Sequence, residues 1–183
     1  NGAFTGNNLR GLNQDLQVRF ASSGNVTITG NTFNQGGVEI GDANAGAGSI
    51  DISNNIFNVA DGSTYSNALR LKNNYTARTT TVAGNTFTGH EWGISLENYQ
   101  NVTINGNSFT PIAASTTYRH ITVDTKEFSS ASGFYPPVVG ATITNNTFNG
   151  SGAPGGIGLA FYNGDNDAPV YNSFTLGSAG NEN

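Results

Sequence analysis

The chain has 183 residues and a formal net charge of −5, and only 10% of its residues are charged. It has no basic run, which argues against nucleic acid and anionic membranes as partners. No apolar run approaches the roughly 20 residues that span a bilayer, so membrane insertion is not expected. The absence of cysteine excludes a disulfide framework, a thiol nucleophile and a thiolate metal site.

One eight-residue pattern returns along the chain and predicts its architecture. Its first complete copy, residues 26–33, has alternating apolar and hydroxyl residues, then the corner Gly30-Asn31, then Phe33. Further copies occupy 50–57, 80–87, 102–109 and 141–148, and frayed copies open and close the chain. A repeat of this length with one strand-like signature per copy predicts a solenoid.

Each copy is expected to form a strand, a sharp corner and a second strand. Ile28 should point inward, while the corner residue, Gly30 or Asn54, tolerates a left-handed backbone. The asparagine that follows should stack from rung to rung as an amide ladder. The predicted ladder is Asn7, Asn31, Asn55, Asn85, Asn107, Asn146 and Asn172, and the predicted core column is Leu9, Phe33, Phe57, Phe87, Phe109, Phe148 and Phe174.

A further short strand is predicted between successive copies, at residues 16–18, 38–40, 69–71, 94–96, 121–123 and 157–159. No helical periodicity of convincing length is present. The sequence therefore predicts one all-β domain over residues 1–183, with about seven rungs and three short strands per rung.

These elements carry a family resemblance. Gly-Ile-x-Leu followed by Val-x-Ile-x-Gly-Asn-x-Phe resembles the repeat of right-handed parallel β-helix proteins, the pectate-lyase-like superfamily. The resemblance covers nearly the whole chain and implies a right-handed parallel β-helix. It implies no single function, because the superfamily includes polysaccharide lyases, hydrolases, epimerases, phage tailspikes, adhesins and inert spacers.

The sheet of Gly-Ile-x-Leu strands is the predicted binding face, since the two connections that flank it vary in length and variable loops often carry binding residues. Outward positions there place charged groups and His120 near aromatic residues of the flanking turns, including Tyr99 and Tyr118. The candidate polysaccharide-binding residues are Glu39, Arg70, Lys72, Tyr75, Trp92, Glu97, His120 and Asp124. Cross-strand ion pairs, Glu39 with Arg70 and Lys72 with Glu97, are the competing interpretation.

Catalytic sets are harder to find on this face. Leu69–Lys72 resembles the Arg-Ile-Lys element of pectin hydrolases, but the paired-Asp and His-Gly strands that precede that element are missing. Glu39 and Glu97 lie two rungs apart, roughly 10 Å by the rung spacing, which is an unconvincing pair for glycoside hydrolysis. Arg70, Lys72, His120 and Tyr75 are the candidates for a uronate lyase or C5-epimerase. His90-Glu91-Trp92 is interpreted as a solvated corner.

Two loops are candidate calcium sites, although no cofactor is expected. Asp42 and Asn44 place oxygen ligands at alternate positions, and Asp165 and Asp167 cluster in a turn. Neither loop carries the bidentate glutamate of a full calcium loop.

The leading functional hypothesis is an extracellular or cell-surface β-solenoid module without catalytic activity. The pattern shows no amphipathic cap at either end, which favours a segment of a longer solenoid or stacking into a fibre. Such a module suits an adhesin, a surface layer or a filament, with a polysaccharide or end-to-end self-association as its partner. The alternative is a polysaccharide-modifying module (a uronate lyase, C5-epimerase or glycoside hydrolase). Because Arg70 and Lys72 are predicted to point outward, their joint replacement is expected to leave the fold intact.

Overall fold

The computed structural model describes residues 1–10, 16–19, 23–41, 47–58, 67–74, 78–110, 118–125, 140–150, 156–163 and 175–176. Within these ranges the secondary structure is β-strand throughout, without a helix. The strands in chain order are β1 (Gly2–Thr5), β2 (Asn8–Arg10), β3 (Leu16–Arg19), β4 (Val26–Thr29), β5 (Thr32–Asn34), β6 (Val38–Gly41), β7 (Ser49–Ser53), β8 (Ile56–Asn58), β9 (Asn67–Asn74), β10 (Thr79–Ala83), β11 (Thr86–Thr88), β12 (Trp92–Tyr99), β13 (Val102–Asn105), β14 (Ser108–Thr110), β15 (Arg119–Thr125), β16 (Thr142–Thr144), β17 (Thr147–Phe148), β18 (Ile157–Asn163) and β19 (Thr175–Leu176).

The strands form three parallel sheets, and each rung adds one strand to each sheet. The first sheet has the order β1-β4-β7-β10-β13-β16-β19, the second β2-β5-β8-β11-β14-β17, and the third β3-β6-β9-β12-β15-β18. Every strand inside a sheet therefore pairs with the equivalent strands of the rungs before and after it. This topology is a parallel β-helix with three strands per rung, and it confirms the predicted fold class. Among the described residues there is no helix long and apolar enough to cross a membrane.

The corner between the first and second sheets has the same backbone in five consecutive complete rungs. The residue that opens it is left-handed each time, with φ of 66° at Gly30, 55° at Asn54, 64° at Gly84, 66° at Gly106 and 57° at Asn145. Glycine and asparagine tolerate this region best. The turn that the sequence pattern predicts is therefore present, and it fixes the angle between the two sheets.

The asparagine ladder stands beside this corner. In each rung from Asn7 to Asn107, the backbone N–H and the side-chain Nδ2 both donate to the Oδ1 of the next ladder asparagine, at 2.9–3.0 Å. Nδ2 also donates to a strand carbonyl, as from Asn85 to Ile52 at 2.9 Å. The ladder from Asn31 to Asn146 is buried. The ladder thus supplies hydrogen-bond partners to backbone groups at a buried corner, where an unpaired polar group would cost free energy.

The aromatic column fills the core next to the ladder. Ring centroids are 5.0 Å apart for Phe33 and Phe57, 4.7 Å for Phe57 and Phe87, and 4.7 Å for Phe87 and Phe109. These four rings are fully buried. Their pairing in register, together with Phe148 above Phe109, confirms the predicted column for the described rungs. Asn172 and Phe174, which the sequence assigns to a last rung, lie outside the described residues.

One predicted register is wrong. The repeat pattern aligns Ile157, Gly158 and Leu159 with residues 121–123. In the structure, β18 pairs two residues further along, so that Leu159 lies beside Ile121 and Ala160 beside Thr122. A Cβ on Gly158 would lie 3.5 Å from the Phe148 ring, so this residue faces inward. Ile157, Leu159 and Phe161 are apolar residues at alternate positions, so either alignment places apolar residues beside the buried Ile121 and Val123, and the pattern alone does not distinguish the two registers.

Candidate functional site

Charged residues gather on the outward face of the third sheet. Strands β3, β6, β9 and β12 place one group of ionic side chains there in adjacent rungs, in the register that the sequence predicts. We call this group the outer ion cluster; it consists of Arg19, Glu39, Arg70, Lys72 and Glu97. The first and second sheets contrast with it, because their described outward positions carry two charged residues, Arg10 and Asp51.

Arg70 is the centre of the outer ion cluster. Its strand lies between those of the two glutamates, and its guanidinium contacts both. Nε donates to Glu97 Oε1 and Nη2 to Glu97 Oε2, each at 2.8 Å, which is the bidentate geometry of a strong charge-assisted pair. Nη1 lies 3.4 Å from Glu39 Oε2 on the other side. Arg70 therefore links three successive rungs across the outside of the sheet.

Glu39 has several further donors. Lys72 Nζ lies 3.1 Å from its Oε2, and Gln17 Nε2 donates to its Oε1 at 2.8 Å. Burial acts to raise the pKa of Glu39, but the hydrogen bonds from Lys72 and Gln17 and the positive charges of Lys72 and Arg70 outweigh it. The pKa of Glu39 consequently lies below its ordinary value, and the carboxylate is ionised at neutral pH.

The two carboxylates of the cluster are outward in register but hidden from solvent. The side chains of Glu39 and Glu97 are each only 3% exposed, whereas Arg70 is 30% exposed. A buried carboxylate is tolerated when it is paired and hydrogen-bonded. The ion pair between Glu39 and Arg70, which the sequence offered as the alternative to a binding groove, is therefore present, and a sugar-binding role of these residues stays a prediction.

His120 is not on the outward face, so its predicted position is wrong. The ring stacks on Phe148 at a centroid distance of 5.5 Å and contacts Phe109 at 5.5 Å, and the residue is 2% exposed. Ile121 is also fully buried. His120 and Ile121 are therefore adjacent buried residues of β15, so inward and outward residues fail to alternate here, and the pairing of β12 with β15 skips the pair that would include His120.

His90 is likewise buried rather than solvated, which corrects the prediction of an exposed corner. It meets Phe87 edge to face at 5.7 Å and is 1% exposed. Neither of its ring nitrogens has a hydrogen-bond partner of good geometry. Burial, together with the nearby His120 ring, lowers the pKa of His90 to about 3, and burial lowers the pKa of His120 to about 4. Both imidazoles are thus neutral parts of the core.

The signal for this inward position was present in the sequence as small residues. In other rungs, the position equivalent to His120 holds a small residue: Ala68, Gly93 or Gly158. A Cβ on Gly93 would lie 2.9 Å from both His90 Nε2 and the Phe109 ring. Only glycine or another small residue fits beside these rings. The row of small residues therefore marks a crowded place in the core.

The aromatic candidates are also engaged within the fold. The Arg119 guanidinium carbon lies 5.4 Å from the centre of the half-buried Trp92 ring, a cation–π contact that sequence reasoning did not predict. Tyr99 is fully buried, and its hydroxyl lies 2.7 Å from Thr80 Oγ1. Tyr118 is also buried. Tyr99 and Tyr118 therefore do not line an open groove, contrary to the sequence-based expectation.

The remaining candidates divide into two groups. Asp124 lies beside Glu97 in register and is half-buried. The other predicted residues, Tyr75 and the calcium candidates Asp42, Asn44, Asp165 and Asp167, lie outside the described residues. Within the described ranges, no group of three or more His, Asp or Glu side chains is placed to hold a metal ion.

A second buried charge lies away from the outer ion cluster. Arg78 precedes β10, is fully buried, and donates from Nη1 to the carbonyl of Gly24 two rungs earlier. Its carbonyl partner and its burial indicate a structural role at the corner between the third and first sheets. Sequence reasoning did not identify it, because its partner is 54 residues away.

Compared with models of known protein families, with curated proteins and with solved structures, the chain gives no significant match. The resemblance to the pectate-lyase-like superfamily therefore stays an expectation from the repeat.

Proposed function

We propose that this chain is a β-solenoid module without catalytic activity, which acts as a rigid structural or adhesive element at the cell surface or outside the cell. An adhesin, a surface layer or a filament is the setting that suits it. The observation that carries the proposal is the saturation of the outer ion cluster: Arg70 holds Glu97 with two hydrogen bonds of 2.8 Å and contacts Glu39 at 3.4 Å.

This saturation argues against general acid catalysis by Glu39, because a general acid needs a carboxyl that keeps its proton near neutral pH. Glu39 has the opposite character, since its pKa lies below the ordinary value. Arg70 and Lys72, the groups that a lyase or epimerase would use to neutralise a substrate carboxylate, already neutralise carboxylates of the chain itself. These contacts support a role in fastening rungs together.

The stacking pattern supports end-to-end association with a second copy as the partner interaction. The five rungs from Asn31 to Asn146 repeat the same asparagine ladder and the same column of phenylalanine rings. A further rung from any source fits that pattern. A polysaccharide bound along the third sheet is the other partner that the proposal includes.

Two measurements test the proposal. Acidic polysaccharides should show no new unsaturated ends, reducing ends or altered epimer ratio after incubation with the chain, with or without calcium. Turnover of any of them would establish the polysaccharide-modifying alternative. Light scattering after size exclusion should show a mass that grows with protein concentration, whereas a monomer at every concentration would overturn the stacking part.

A further inference from the structure

The chain contains four Asn-Gly pairs: Asn1-Gly2, Asn105-Gly106, Asn149-Gly150 and Asn163-Gly164. Both residues of the first three pairs lie within the described ranges. An asparagine before glycine is chemically labile, because glycine has no Cβ to keep its backbone nitrogen away from the asparagine side chain. Whether such a pair reacts in the folded state depends on whether that nitrogen is free to move.

Two of these pairs are held in the fold. Gly2 N–H donates to the Asn25 carbonyl at 2.9 Å, and Gly106 N–H donates to the Thr144 carbonyl at 3.1 Å. The side chain of Asn105 is also fixed, because its Oδ1 accepts from Thr144 Oγ1 at 3.0 Å and from Asn145 Nδ2 at 2.8 Å. In both pairs, the glycine N–H is held in a backbone hydrogen bond to the next rung.

Asn149-Gly150 differs in each respect. Both residues are exposed, directly after the short strand β17. In the structure as described, the Gly150 N–H has no hydrogen-bond partner. The Asn149 side chain makes one long contact, from Nδ2 to Thr110 Oγ1 at 3.3 Å. The nitrogen and the side-chain carbon that must meet are therefore the least restrained of the three described pairs.

We propose that Asn149-Gly150 is a site of spontaneous modification, at which the chain forms a succinimide and then aspartate or isoaspartate. The deprotonated backbone nitrogen of Gly150 bonds to Cγ of Asn149, the bond from Cγ to Nδ2 breaks, and Nδ2 leaves as ammonia after taking up a proton. Water then adds to one of the two ring carbonyls, the bond from that carbonyl carbon to the Gly150 nitrogen breaks, and the nitrogen takes up a proton. Addition at one carbonyl gives aspartate, and addition at the other gives isoaspartate.

The modification matters because of what Asn149 contacts. Its backbone N–H donates to the Phe109 carbonyl at 2.9 Å, and its backbone also hydrogen-bonds the buried His120 ring. Isoaspartate inserts an extra carbon into the backbone at this point, and either product adds a negative charge. The upper end of the aromatic column, at Phe148, should loosen as a result. This inference does not depend on the proposed function.

Peptide mapping by mass spectrometry, with fragmentation that separates aspartate from isoaspartate, tests the proposal. After incubation of the folded chain in mildly alkaline buffer, Asn149 should be modified about fivefold faster than Asn105 or more, since about 1 kcal/mol for the one hydrogen bond to be broken corresponds to about fivefold. In urea the two rates should converge, since the chain then holds neither pair. Equal rates in the folded chain, or modification of Asn149 only in urea, would overturn the proposal.

A matched variant separates this chemistry from a general weakness of the segment. In Gly150→Ala the new Cβ would lie 3.4 Å from Tyr118 Oη, an ordinary contact, so the fold should be kept. The modification at Asn149 should nevertheless fall to the background rate. A variant that is modified as fast as the parent would show that the backbone nitrogen of residue 150 is not the nucleophile.

Discussion

Removal of the Arg70 guanidinium is the sharpest perturbation of the outer ion cluster. Arg70→Met keeps most of the aliphatic stem and deletes both 2.8 Å hydrogen bonds to Glu97. Glu39 loses a contact of 3.4 Å but keeps Lys72 and Gln17. The cost should therefore arise chiefly at Glu97, whose carboxylate is 3% exposed.

The magnitude follows from the burial of the two partners. Breaking a fully buried pair by removing one member costs about 3–5 kcal/mol. Arg70 is itself 30% exposed, so solvent already screens part of the interaction and water can approach the remaining carboxylate. The free energy of unfolding should consequently fall by about 2–3 kcal/mol.

Urea unfolding measures this change, with the fluorescence of the single tryptophan, Trp92, as the probe on the same strand as Glu97. The exposed Arg10, which donates to Gln35 at 3.1 Å, supplies the matched control, and Arg10→Met should stay within about 0.5 kcal/mol of the parent. Glu97→Gln and the double variant complete a thermodynamic cycle. The double variant should be more stable than the sum of the single losses, by about 1–3 kcal/mol.

An Arg70→Met variant that is no more destabilised than Arg10→Met would contradict this prediction. That result would mean that the guanidinium is an ordinary surface group, as the sequence alone predicts for Arg70 and Lys72. It would also return both residues to the list of groups free to bind an acidic polysaccharide.

Two further predictions concern the core. Phe87→Ala should lower the free energy of unfolding by about 3–5 kcal/mol, because the ring is fully buried and stacked at 4.7 Å on both neighbours. Thr88→Ala, an exposed change on the same strand, is the control. Equal effects of the two changes in denaturant unfolding would contradict a packed column. Stability should also fall on acidification, because the pKa values of His90 and His120 are lowered to about 3 and about 4 and the unfolded chain therefore binds more protons. The loss of stability should begin as the pH drops below 6.5 and continue to about pH 3. A His120→Phe variant that keeps the full acid sensitivity in pH-dependent unfolding would exclude His120 as a cause.

The fold was predictable because its determinants repeat. Gly30 and Asn54 mark a left-handed corner, and Asn55 and Phe57 follow at fixed spacing, so each rung repeats the same sequence pattern. The register of β18 was not predictable, since Ile157, Leu159 and Phe161 satisfy the inward face in two alignments.

The charged residues of the candidate site, Glu39, Arg70, Lys72 and Glu97, were predictable from the sequence, but their burial and the inward position of His120 were not. The positions of Glu39, Arg70 and Glu97 on one face follow from strand alternation alone. That alternation fails at His120, where two adjacent residues are buried, and it contains no information on how deeply an outward side chain is covered. Burial converts a row of surface charges into a set of mutual partners, and it depends on contacts between residues that are distant in sequence.

The proposal that the outer ion cluster fastens rungs together, instead of performing chemistry, is tested most directly by the pKa of Glu39. Titration of the side-chain carboxyl carbon by NMR measures this value in the folded chain. The account predicts a pKa below the ordinary value for glutamate, because Lys72, Gln17 and Arg70 stabilise the charged form. A pKa raised towards neutrality would contradict it, since a buried carboxyl that keeps its proton is what a general acid requires.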